Sequence, residues 1–323
     1  MSDRKHFSGI GWGYFIFISV TIGLSLLLKF IITATGFELP SHLHWMALFI
    51  SMAPMYLVAA PLAIHRLKKV PKMEPEEKTK LGAGRFLVIF IIGIAAMQIG
   101  NLIGQTLMGI AGRITGNPMT FELQQIILDT EPWVIILLVV IIGPFMEELM
   151  FRKLLIDRVR MYGDKAAILL SGLLFGLFHG NFFQFFYAFF LGCIFGYVYC
   201  STLRLRYTVL MHMIINFMGS VVVIFIMNMP GMDRFLDPSV VMNEENMMEL
   251  LKVAFPGILL LGMYGMFLLC AVIAGIVLFL CFFKQIRLNQ GAAGLTGAGR
   301  FRTIFLNPGM IFCLLALAVS FLI

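Results

Sequence analysis

Residues 133–155 read WVIILLVVIIGPFMEELMFRKLL. Fourteen uncharged residues lead into two adjacent carboxylates, and seven more, including Arg152 and Lys153, follow them. A helix rising about 1.5 Å per residue needs about 20 apolar residues to cross a bilayer, so this stretch predicts a transmembrane helix with acids inside it. Similar apolar runs lie at residues 11–36, 44–64, 86–111, 166–182, 184–200, 207–228, 252–283 and 304–323. With 133–155 they make nine candidate spans. The composition agrees: of 323 residues 60% are hydrophobic and 13% charged, with a mean hydropathy of +0.95. Soluble domains carry about 25% charged residues, so lipid must serve as solvent for most of the chain. The expected fold is all-α, a polytopic transmembrane bundle of eight to nine spans, in one membrane domain over residues 1–323.

Charge in the connections tests the count. After the second, fourth, sixth and eighth runs come Arg66, Lys68, Lys69, Lys72, Lys78, Lys80 and Arg85, then Lys153, Arg158, Arg160 and Lys165, then Arg204 and Arg206, then Lys284, Arg287, Arg300 and Arg302. The alternate connections are neutral or acidic, with Glu38, then Glu122, Asp129 and Glu131 beside Arg113, then Asp233, Asp237, Glu244, Glu245 and Glu249 beside Arg234. One missed or invented span would invert everything beyond it. The alternation places the basic segments and the amino terminus in the cytoplasm. The carboxyl terminus falls outside unless the last short run is re-entrant. Because the +7 net charge sits between apolar runs, it sets orientation and implies no nucleic-acid partner. The first run is too long for a cleaved signal peptide. Five cysteines scattered through apolar segments form neither a disulfide framework nor a CxxC site. Gly-Ala-Gly-Arg-Phe recurs at Gly82–Phe86 and Gly297–Phe301, each time before a span, and reads as a flexible entry with an Arg for lipid phosphate.

Ionisable groups at membrane depth cost at least about 2.5–3.5 kcal/mol each and are functional candidates by default. They are Lys29, Glu147, Glu148, Arg152, His179 and His212. Glu148 and Arg152 are four apart in the favourable order for a helical ion pair. Glu147, turned about 100° away, lacks that partner and stays free for chemistry. The plainer alternative lets both acids snorkel to the interface. Phe175 and His179 share one face, as do His212 and Asn216, and the latter pair offers two donors to one point. Taken singly, a buried histidine bonded to a carbonyl, or interhelical glue, explains each as well.

Together, Glu147-Glu148-x-x-x-Arg152, Phe175-x-x-x-His179 and His212-x-x-x-Asn216 resemble, in order, the motifs of the CAAX protease and bacteriocin-processing family of intramembrane peptidases, which includes the prenyl-protein endopeptidase. The resemblance covers about residues 130–230, the expected catalytic core. It implies hydrolysis of a peptide bond by activated water. Glu147 would be the base, assisted by His179; His212 and Asn216 would hold the oxyanion; Glu148, Arg152 and Phe175 would support them. It implies no cofactor, with zinc on Glu147, His179 and His212 as the alternative, a set of one carboxylate and two imidazoles with an open position. The implied partners are the bilayer and a membrane-bound peptide or protein substrate, and the expected location is a bacterial plasma membrane. His-Glu-x-x-His is absent from the sequence, Met161 stands where an aspartyl type needs glycine, and Leu169-Leu170 precede Ser171 where a rhomboid type needs Gly-x-Ser.

Two other function classes compete: a non-catalytic scaffold, sensor or bacteriocin-immunity protein of the same fold, and a transporter using Gln98, Asn101 and Gln105 on one face. That face adjoins Gly100 and Gly104, a pair that reads as helix packing. One depth mismatch is expected to be resolved by the fold. Glu147 and His212 lie about 7–13 Å from the cytoplasmic ends of their runs and His179 about 20 Å. The fifth span must therefore start below the surface or tilt strongly, or the fourth must start its crossing earlier, for all four groups to line one cavity.

Overall fold

The structure, a computed structural model, describes residues 2–40, 43, 45–73, 77–116, 130–237, 244–291 and 298–322. Eleven helices and no strand occur among the described residues. They are α1 (Asp3–Thr35), α2 (Met46–Lys68), α3 (Ala83–Thr115), α4 (Pro132–Tyr162), α5 (Asp164–Phe178), α6 (Phe182–Thr202), α7 (Leu205–Met227), the short α8 (Met232–Phe235), α9 (Glu244–Phe282), α10 (Ala298–Phe305) and α11 (Pro308–Ser320). Helices are the form this composition demands, since without water each backbone N–H must find its carbonyl within the segment. Their ends carry local stops. Gly36 (φ 61°) and Gly116 (φ 73°) close α1 and α3 in the left-handed region, and the Asn181 and Asn307 side chains accept from the third residue of α6 and α11.

Seven of these helices are long and apolar enough to cross a membrane, or eight if the pair Gly299–Phe305 and Pro308–Ser320, bent by 67°, is one broken span. The ninth expected span therefore fails as a straight crossing, as the re-entrant alternative allowed. The fifth also falls short. Its apolar run continued to residue 182, but α5 ends at Phe178, and 15 residues cover only about 22 Å of a core about 30 Å thick. The hydropathy of the run counted the turn Gly180–Asn181 and the first residue of α6 as helix.

The alternation of the connections nevertheless holds. Met73 N donates to Asp157 O at 2.8 Å, Asp164 N to Asn289 O at 2.9 Å, and Arg204 to the carbonyls of Lys78 and Thr79 at 3.0 and 2.9 Å. His6 Nε2 bonds Arg158 O at 2.8 Å. The four basic connections and the amino-terminal turn thus share one end of the bundle. Trp45 and Trp133, which precede α2 and open α4, meet elsewhere with ring centroids 5.3 Å apart. Glu122, Asp129, residues 238–243 of the acidic stretch and Gly297 of the repeat lie outside the described residues.

Helix α6 is central, packed on α5 and α3, while α1 packs on α2 and α11 and α9 lies on α3. Close crossings depend on glycine. A Cβ at Gly100 would sit 2.6 Å from the Tyr187 backbone, and one at Gly104 2.7 Å from Phe182 O. The packing role expected of that pair is what the fold shows. Backbone cannot give way as a flexible side chain can, so Gly100→Ala is expected to cost about 1–3 kcal/mol, read as a lowered melting temperature in detergent. Much of α9 is apolar and exposed, with Met263 and Met266 each at 60%, a surface that lipid must cover.

The depth mismatch disappears because α4 runs on to Tyr162, seven residues past the expected end at 155. Gly163, with φ 103°, makes the turn into α5. Glu147 lies fifteen residues before Tyr162 and His179 fifteen after Asp164, so each is about 22 Å from the turn. The extension carries three charged residues, Asp157, Arg158 and Arg160, all buried. Asp157 accepts from Tyr199 Oη at 2.8 Å and meets Lys153 at 2.6 Å, and Arg158 Nε donates to Leu67 O at 2.8 Å.

Candidate active site

Pro144 shapes the middle of α4. It has no N–H to donate, and its ring crowds the carbonyl four residues back. The turn before it, Ile136–Ile142, opens into π-helical geometry, and so does Leu149–Leu154 beyond it. The two wide turns bracket Gly143–Glu148, the segment bearing both glutamates. A third, Met218–Val222, follows Asn216 in α7. Single π turns of this sort cluster at functional sites.

Glu148 points into the bundle and is fully buried, as is Arg152. Their expected pairing is present at 3.0 Å between Oε2 and Nε. Arg152 Nη1 also donates to Ser171 Oγ at 3.3 Å, and its guanidinium lies 4.5 Å from the Phe175 ring centroid. A bond between helices joins this group to α7: His212 Nδ1 donates to Glu148 Oε1 at 3.1 Å. Glu148 is thus more than a charge neutralised within its own helix. It fixes the ring of His212 and turns Nε2 toward Glu147, 3.7 Å from Oε2. The sequence could not disclose this bond, because its partners are 64 positions apart.

His179 Nδ1 donates to Phe175 O at 2.8 Å, which leaves Nε2 with a free lone pair. Phe175 stands edge-on between the two imidazoles, with centroids 5.0 Å from His179 and 5.8 Å from His212. Asn216 Nδ2 donates to Val139 O at 2.8 Å, a carbonyl in the wide turn of α4. One amide hydrogen of Asn216 is therefore occupied and one remains. Glu147, His179, His212, Asn216 and Phe175 all line one cavity of about 590 Å³, so three separate helices bring the expected groups together. Lys29, on the exposed side of α1, does not line it.

The same cavity has walls that the motifs did not name. Gln98 and Asn101 of α3 line it, so part of the amide stripe faces the acid site instead of a separate passage. Tyr56 of α2 and Tyr187 of α6 line it too. Both tyrosines look like ordinary interfacial aromatics in the sequence, and no spacing links them to the glutamates. Among the described residues no three His, Cys, Asp or Glu side chains form a group placed to hold one ion.

No curated protein and no solved structure matches the chain. A family model does. Residues 129–218 match the family described as type II CAAX prenyl endopeptidase Rce1-like, a range that holds all three motifs. The three motifs of this cavity therefore lie in a segment of about 90 of the 323 residues that is similar to the Rce1-like family.

Proposed function

We propose that the chain is an intramembrane endopeptidase that hydrolyses a peptide bond of a membrane-bound peptide or protein, using water activated by Glu147. The observation that carries this reading is the convergence of Glu147, His179, His212 and Asn216 on one cavity. Glu147 takes a proton from a water held between it and His179 Nε2, and the water oxygen bonds to the substrate carbonyl carbon. General base catalysis of this kind contributes about 10²- to 10⁴-fold. His212, its Nδ1–H held by the Glu148 carboxylate, presents Nε2–H to the developing oxyanion, and the second amide hydrogen of Asn216 joins it. The C–N bond then breaks. The proton carried by Glu147 passes to the leaving nitrogen, which gives a carboxylic acid and an amine.

The reading includes no metal, because three of its own side chains supply the base and the donors. Turnover is expected to stay within twofold of its starting value after dialysis against a strong zinc chelator. Loss of activity that returns on adding zinc would reverse this part of the reading. A non-catalytic scaffold of the same fold would leave membrane peptides unchanged when Glu147 is replaced, and the cleavage assay separates the two classes.

The basic connections gathered at one end of the bundle support a cytoplasmic placement of that end and of the amino terminus. With the five native cysteines replaced, Ser2→Cys is then labelled by impermeant maleimide only after the cells are opened.

A further inference from the structure

Of the polar residues lining the cavity that the proposed chemistry leaves unused, Tyr56 has a hydroxyl without a hydrogen-bond partner among the described residues. That hydroxyl is buried. A buried, unsatisfied donor is costly, and such groups in folded proteins call for an explanation. Its position is built by two features. Tyr56 lies in the wide turn Pro54–Ala59 of α2, and its oxygen rests against Gly143, where an added Cβ would come within 3.4 Å of it. Gly143 is one helical turn before Glu147, and Tyr56 and Glu147 line the same cavity.

We infer that Tyr56 is a further catalytic residue, whose phenol donates a hydrogen bond to the carbonyl oxygen of the scissile bond as it becomes an oxyanion. This rests on the endopeptidase reading above. The need for such a donor follows from the partners already counted. Asn216 gives one amide hydrogen to Val139 O and His212 gives Nδ1–H to Glu148, so His212 Nε2 and one amide hydrogen remain for the oxyanion. Tyr56 comes from α2, a helix that carries none of the three motifs, and adds a third donor from another wall. It keeps its proton throughout. An O–H with no protein partner in the resting site can turn to the oxyanion without first breaking a bond, which is the preorganisation that favours the transition state over the ground state.

The test uses the full chain in proteoliposomes and an internally quenched peptide ending in a prenylated Cys-aliphatic-aliphatic-X tail. Tyr56→Phe removes only the oxygen. The expected result is a fall in kcat of about 10²-fold with KM within twofold, and a melting temperature no lower than wild type, because the deleted hydroxyl bonds to nothing. A peptide aldehyde that mimics the tetrahedral state as its hydrate is expected to lose affinity in parallel with kcat/KM, whereas the uncut substrate amide is not. Wild-type kcat in Tyr56→Phe, alongside an inactive Glu147→Gln, would overturn the Tyr56 assignment alone. A lowered melting temperature with kcat and KM both altered would overturn it in favour of a packing role. No cleavage by the wild-type chain would overturn the endopeptidase reading and this assignment with it.

Discussion

Glu147→Gln is expected to lower peptide cleavage at least a thousandfold while leaving the protein folded. Gln has the shape of Glu but cannot take a proton from water, so the variant removes the base and leaves the volume. Nothing structural depends on the Glu147 charge in the way that it does on Glu148. Its one close ionic neighbour is His212 Nε2 at 3.7 Å, beyond direct hydrogen-bond length, and its side chain is 20% exposed to the cavity. The melting temperature is therefore expected to move by no more than a few degrees. The check is a cleavage time course with thermal unfolding of the same preparations. A general base supplies up to about 10⁴-fold, and the loss of hydrogen bonding to the water adds to it. Activity reduced by tenfold or less would assign the base elsewhere.

Arg152→Ala is expected to act on stability first. The guanidinium is fully buried, paired with Glu148 at 3.0 Å, bonded to Ser171 and stacked over Phe175. Truncation leaves Glu148 as a buried anion without its main partner, a change that costs about 3–5 kcal/mol. The protein is then expected to be extracted in poor yield or to unfold at a markedly lower temperature. Arg152→Lys should restore little, since an ammonium cannot face Glu148, Ser171 and the Phe175 ring together. The double variant Glu148→Gln, Arg152→Met removes both charges and is expected to recover much of the stability. It should still cleave slowly, because the amide no longer holds the His212 ring as the carboxylate does. Full activity in that double variant would mean that the Glu148–His212 bond has no part in the reaction.

The contrast between these two glutamates shows what could be read from the chain. Glu148 and Arg152 are four apart, and the ion pair follows from helical spacing alone. The His212 end of the same network depends on α4 and α7 lying side by side, which no local pattern encodes. The three motifs were legible because each repeats a polar residue on one helical face. Tyr56 was not, since one tyrosine in an apolar run carries no period. The end of α4 was misplaced for a related reason. Asp157, Arg158 and Arg160 look like a connection by their charge, yet Tyr199, Lys153 and the Leu67 carbonyl satisfy Asp157 and Arg158 inside the bundle. Hydropathy charges the full cost of an ion whether or not a partner awaits it. The placement of the ends survived that error because charge alternation depends on the number of reversals. Although α5 is too short to cross, it still reverses the chain.

A central claim remains, that the acid on α4 and the imidazole on α7 act on one bond in one cavity. The most direct measurement compares Glu147→Gln, His212→Ala and the double variant in the same single-turnover cleavage assay. Groups that serve a single step are strongly non-additive, so the double variant is expected to be about as slow as the slower single one. Losses that multiply would contradict the account, because they would mean that the two side chains contribute independently.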